Sequence, residues 1–151
     1  MRLLSRAQVP VWFDANPFIL SGYRPPSGSW SRSLASWTYR HNETGNIYSH
    51  LVPGVILASA LSQLDLTRGL DNAIVALQLA TAVLCLFIST LYHTALHHSA
   101  RVAHLCLQLD YGGILILILG NFLSGLHFGF YCAPALRLLY WSLVSSCRLS
   151  R

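Results

Sequence analysis

The sequence contains no lysine. All ten basic residues are arginine, spread from Arg2 to Arg151 without gathering into a stripe or interleaving with exposed aromatics, which excludes the footprint of a nucleic-acid-binding domain. Acids are scarcer still: five in 151 residues, at Asp14, Glu43, Asp65, Asp71 and Asp110. With 10% charged against 54% hydrophobic residues, the composition lies outside the range of ordinary soluble domains. Paired cysteines are also missing. Cys85, Cys106, Cys132 and Cys147 are widely spaced with no CxxC, which argues against a disulfide framework and for free, buried thiols. The opening stretch, MRLLSRAQVPVWFDANPF, lacks the unbroken apolar region of a signal peptide, so none is expected.

What the sequence does have is long apolar runs. Ile47 to Leu64 carries no charge over 18 residues, and Asn72 to Leu91 none over 20. Each is about as long as a helix needs to cross a hydrocarbon core roughly 30 Å thick. Leu105 to Leu126 holds a single acid, Asp110, near its start. A fourth stretch, Leu136 to Val144, is only nine residues long and includes Arg137. So little polar sequence cannot clothe these runs in water, and they lack the alternation of barrel strands. The expected class is therefore all-α: a polytopic helical membrane protein with three full transmembrane helices, about 47–64, 72–93 and 105–126, and a partial fourth, 134–145. Residues 1–46 form a separate N-terminal segment, and 47–151 the transmembrane domain. Within the segment, SRSLASWTY predicts a short interfacial helix anchored by Trp30, Trp37 and Tyr39. Six arginines (Arg2, Arg6, Arg24, Arg32, Arg40 and Arg101) fall on the side of the N-terminus and second loop, against Arg68 alone in the first loop. This bias predicts a cytoplasmic N-terminus, in either the plasma membrane or the endoplasmic reticulum.

Polar residues cluster at the predicted cytoplasmic face. STLYHTALHH puts Ser89, His93 and His97 at i, i+4 and i+8, one helix face, and Asp110 can reach the same depth from the next span. Imidazole, carboxylate and hydroxyl in that arrangement suit a metal and its surroundings. Alternatively, histidines at a helix end mark the membrane interface. Asp110 is different in kind, because a carboxylate inside a span costs about 2.5 to 3.5 kcal/mol at mid-helix and calls for a partner or a function. Just before the first span, YRHNETGNIYSHL places Glu43 and Asn46 at i, i+3. They either share a functional face, or Asn42 or Thr44 caps the helix with Glu43 favouring its positive end.

Taken in order, GYRPP, HNETGNIYSHL, STLYHTALHHSARV, QLDYGGILILILG and FYCAP resemble the progestin and adipoQ receptor family, which includes the adiponectin receptors and is akin to haemolysin III. The lysine-free composition looks most like its fungal members. The resemblance covers about residues 18 to 144. It implies the N-terminal half of a seven-helix bundle with a cytoplasmic N-terminus and a zinc ion near that face. By that likeness His93 is a zinc ligand, Ser89 its polar neighbour, and Asp110 the group that holds or deprotonates a zinc-bound water; Glu43 and Asn46 fall on the family's ExxN. The other two zinc ligands belong to an HxxxH on the family's last helix. HTALH, His93 to His97, has that spacing on the wrong span, so the zinc site is expected to be incomplete and the protein truncated at its C-terminus, with the remaining helices absent. His97 and His98 are expected at the interface. The function so implied is a zinc-dependent receptor in lipid or sterol metabolism and signalling, contacting membrane lipids and a lipid or protein ligand. The alternatives are a ceramidase-like amide hydrolase and an inactive fragment.

Overall fold

The structure is a computed structural model and describes residues 2–13 and 16–146. Asp14, Cys147 and Arg151, named in the sequence reading, lie outside the described residues. A two-stranded antiparallel ribbon, β1 (Leu4–Ser5) with β2 (Ser21–Tyr23), precedes five helices: α1 (Trp30–Ala35), α2 (Thr44–Ser62), α3 (Leu70–Ala95), α4 (Ala100–Gly129) and α5 (Pro134–Ser146). The fold is helical as expected, with one short ribbon in the N-terminal segment.

Two helices, α3 and α4, are long and apolar enough to cross a membrane. The third expected span, α2, has 19 residues, but its first two turns carry Asn46, Ser49 and His50, which shortens its apolar stretch. Its interior Pro53 is of a kind that membrane helices accommodate through neighbouring side chains. The 13 described residues of α5 make a helix about 20 Å long, shorter than a bilayer's hydrocarbon core. Both long helices overrun their apolar runs. Ser99 accepts a hydrogen bond from the Val102 amide at 3.4 Å, an N-cap that starts α4 five residues before its run.

α3 is the centre of the bundle, packed between α2 and α4. Without a hydrophobic force between helices in lipid, close approach depends on small residues. Gly54 of α2 sits where a Cβ would lie 3.4 Å from the Phe87 ring. On α4, a Cβ on Gly113 would come within 3.3 Å of Cys85 Cα, and one on Gly120 would collide with Thr81. Polar side chains add to the α3–α4 seam: Gln78 donates to Asn121 at 2.5 Å, and Ser124 donates back to Gln78 at 2.9 Å. These pairs fix an antiparallel register in which Ser89 and Asp110 stand at the same level.

At the far end, His127 Nε2 donates to Asp71 at 2.6 Å and the Tyr131 hydroxyl to the other Asp71 oxygen at 3.0 Å. Arg137 of α5 donates to His127 Nδ1 at 3.4 Å, and Trp141 stacks on the same ring. This network ties α5 to α4 and to the first turn of α3. Of the described cysteines, none forms a disulfide; Cys85 and Cys106 are buried and Cys132 is exposed.

Gly120→Ala is expected to lower stability by about 1 to 3 kcal/mol through overpacking. Gly112→Ala, where a Cβ meets open space, is expected to be neutral or slightly stabilising through helix propensity. Thermal unfolding in detergent, run on both variants, checks the contrast.

Candidate functional site

The N-terminal segment folds back over the ends of α3 and α4. The Asn42 amide donates to Gly22 O at 2.9 Å, and the amides of Ser27 and Gly28 donate to His97 O and His98 O, each at 2.9 Å. Gly28 reaches its acceptor with φ at +58°, a left-handed conformation that glycine adopts freely. These bonds capture the carbonyls beyond Ala95, so α3 ends there instead of running on through His97. The i, i+4, i+8 face expected from Ser89, His93 and His97 is therefore broken after His93.

Arg24, from the GYRPP stretch, is the hub of this junction. Its side chain is 1% exposed. Nη2 donates to His93 O at 2.6 Å, and Nη1 donates to Ser36 Oγ at 2.7 Å and Thr94 O at 3.2 Å. A cation on the last carbonyls of α3 also suits the negative end of the helix dipole. Burial lowers its pKa to about 10 against the opposing pull of Glu43, so the guanidinium remains charged at neutral pH. Trp37, half-buried, donates to Thr94 Oγ1 at 2.9 Å. Trp30 lies against the His98 ring, centroids 4.9 Å apart.

Glu43 and Asn46 meet His93 across 50 residues. Glu43 is buried and accepts three side-chain hydrogen bonds: from Asn42 at 2.6 Å, from Asn46 at 2.8 Å, and from His93 Nδ1 at 2.8 Å. Burial works against its ionised form, but the hydrogen bonds from His93 and Asn46 prevail and hold its pKa below the usual value. An ionised carboxylate only accepts, so His93 Nδ1 carries the proton and, in the neutral ring, Nε2 keeps its lone pair. A histidine whose Nδ1–H is fixed by a carboxylate is the arrangement that orients an imidazole for a metal. His50 stacks on His93, centroids 5.4 Å apart, and further restricts the ring. The capping alternative is not what forms: the residue preceding the helix is Glu43, it makes no side-chain cap, and Thr44 Oγ1 instead accepts from the His41 amide at 2.9 Å.

The remaining candidates are near but not joined. Ser89 is buried one turn before His93. Asp110, half-buried at the Ser89 level, forms no side-chain hydrogen bond or ion pair among the described residues. Nor is there, among them, any group of three His, Cys, Asp or Glu placed to hold a metal ion. His93 with its carboxylate fits one zinc ligand; the three protein ligands of a catalytic zinc site are not assembled from these residues.

His97 is 1% exposed, buried beneath the N-terminal segment, with no hydrogen-bond partner at either ring nitrogen among the described residues. Burial, then Arg24 and His41, lower its pKa to about 3. His41, whose Nδ1 accepts from the Glu43 amide at 3.1 Å, is lowered to about 4, first by burial and then by Arg24. Sequence reasoning gave no role to His127 or Asp71, and to Arg24 only a share in the charge bias that sets orientation. The one available signal was a lone arginine set between Tyr23 and two prolines in a motif with no other charge.

Residues 38–150 match the family model described as haemolysin-III related. The chain belongs to this family. Haemolysin-III related relatives span animals and fungi at comparable similarity. Progestin and adipoQ receptor-like protein 1 of Caenorhabditis elegans is 36% identical over 151 residues, covering 95% of this chain and 34% of that protein. The ADIPOR-like receptor IZH2 of Saccharomyces cerevisiae is 38% identical over 137 residues, covering 86% and 43%. The adiponectin receptor protein of Drosophila melanogaster is 34% identical over 143 residues, covering 91% and 32%. The protein thus spans less than half the length of each. Its apolar helices and its haemolysin-III related family together make it a helical integral membrane protein.

Two imidazoles held neutral below their ordinary pKa of 6.5 give a definite pH response. As pH falls below 6.5 the unfolded chain binds protons that the folded chain refuses, so stability is full above about 6.5 and declines toward pH 4. The unfolding midpoint in detergent is expected to drop between pH 7.5 and 5, with His97→Phe flattening the slope. An equal slope in that variant would remove His97 as the cause.

Proposed function

We propose that this chain is part of a zinc-dependent membrane receptor concerned with lipid or sterol metabolism and signalling, with His93 as one zinc ligand. The observation that carries the reading is the buried hydrogen bond from His93 Nδ1 to Glu43 at 2.8 Å, which leaves Nε2 as the coordinating atom. Asn46 and Asn42 saturate the carboxylate, so that it orients the ring. Ser89 is the polar neighbour one turn away, and Asp110 waits at the same depth for a group that these residues do not supply. α2 acts as the first span, α3 and α4 as the second and third, and α5 as part of a fourth. The N-terminal segment lies on the cytoplasmic side. On this reading the other two zinc ligands are histidines that lie outside the described residues. An amide-hydrolase reading needs Asp110 to act beside His93, and no contact between them supports it.

A chimera tests this. Residues 38–146 replace the matching segment of the yeast relative, and metal content is measured by atomic absorption after purification in detergent. His93→Ala is expected to remove the zinc. Glu43→Gln is expected to weaken zinc affinity roughly tenfold to a hundredfold, the usual cost of losing such a supporting group. Undiminished zinc in the His93→Ala chimera would reject the reading.

A further inference from the structure

Apolar side chains stand in the open on the N-terminal segment. Val11 is 100% exposed, Phe18 90% and Leu20 74%. This exposure is built in. The Arg6 amide donates to Leu20 O at 2.9 Å, and β1 pairs with β2. The Tyr23 hydroxyl donates to Asn16 O at 3.1 Å and Ile19 O at 3.0 Å, while Phe13 is buried beneath. Arg6, Val11 and Leu20 line one open concavity, so the apolar groups have a basic residue beside them. Exposed apolar groups held by a rigid frame mark an interaction surface.

Charge and position select the partner. Among the described residues before α2, the exposed ionisable groups include Arg2, Arg6, Arg32 and Arg40, and the one acid, Glu43, is buried. Over residues 1–43 the sequence carries Arg2, Arg6, Arg24, Arg32 and Arg40 against Asp14 and Glu43, so the segment is net positive and complementary to an anionic face. The segment is also pinned where the long helices end: Arg24 binds His93 O and Thr94 O, and Ser27 and Gly28 bind His97 O and His98 O. That is the level at which membrane helices leave the hydrocarbon and meet lipid headgroups.

We propose that the segment carrying Val11, Phe18 and Leu20 docks onto an anionic lipid surface of the membrane that holds α3 and α4, the apolar side chains entering the interface and Arg2 and Arg6 meeting lipid phosphates. Docking makes the placement of the ribbon, and through β2 of Arg24, sensitive to the charge of the surrounding lipid. It is independent of zinc.

Hydrogen exchange of the purified protein in nanodiscs tests the proposal, comparing pure phosphatidylcholine with a 7:3 mixture containing phosphatidylserine. Amides of 4–11 and 18–23 are expected to exchange more slowly on the anionic discs, by about fivefold for each engaged arginine at low salt. The difference should vanish at high salt, as screening requires. The double variant Arg2→Ala/Arg6→Ala is expected to lose the dependence on lipid charge, and Val11→Ser/Leu20→Ser to lose protection even with phosphatidylserine. Exchange of α3 amides reports in the same experiment that each variant is folded. Rates indifferent to lipid charge, or protection that persists in both double variants, would overturn the proposal and leave the patch to a protein partner.

Discussion

A buried carboxylate at the mouth of a membrane bundle is unstable unless donors surround it, and the junction of this protein is organised around meeting that demand for Glu43. Its donors come from Asn42 beside it, Asn46 one turn along α2, and His93 near the end of α3. Because the last lies 50 residues away in sequence, satisfying the carboxylate also sets the relation of α2 to α3. The same bond fixes which nitrogen of His93 carries the proton. One interaction thereby serves the fold and prepares a coordinating atom.

Arg24 supports this from the other side. By holding His93 O and Thr94 O it fixes the backbone that carries the imidazole, and its charge offsets that of Glu43 within the buried junction. With Ser27 and Gly28 on the next carbonyls, the N-terminal segment decides where α3 stops. The opposite end of the bundle repeats the device in another form, with His127 between Asp71 and Arg137. Each end of α3 is thus locked by an acid, a histidine and an arginine contributed by different elements, while glycines on α2 and α4 set the helix spacing between.

Helices were legible in the sequence because charge-free runs of this length seldom arise outside a membrane, and the pairing of Glu43 with Asn46 followed from their spacing. Helix ends were less legible. α4 begins at Ala100, where Ser99 caps a polar first turn that hydropathy discounts. α3 ends at Ala95 because of amides 67 or more positions earlier in the sequence, which no local pattern reveals. The burial of His97 was illegible for the same reason: it comes from a segment whose return over the helix ends is a tertiary event. For Asp110 no partner could be read from the sequence, and no side-chain hydrogen bond or ion pair is present among the described residues. The polar character of the first turns of α2 made its spanning capacity look greater by charge than it is by hydropathy.

The most direct measurement is the ¹⁵N spectrum of the His93 ring in the membrane-reconstituted protein at pH 8, assigned by comparison with His93→Gln. The expected result is a protonated Nδ1 and a bare Nε2, with the Nδ1 proton shifted by its bond to Glu43 and that shift lost in Glu43→Gln. A ring protonated at Nε2 with a bare Nδ1, unchanged by Glu43→Gln, would mean that the carboxylate does not hold the imidazole and would contradict the account at its centre.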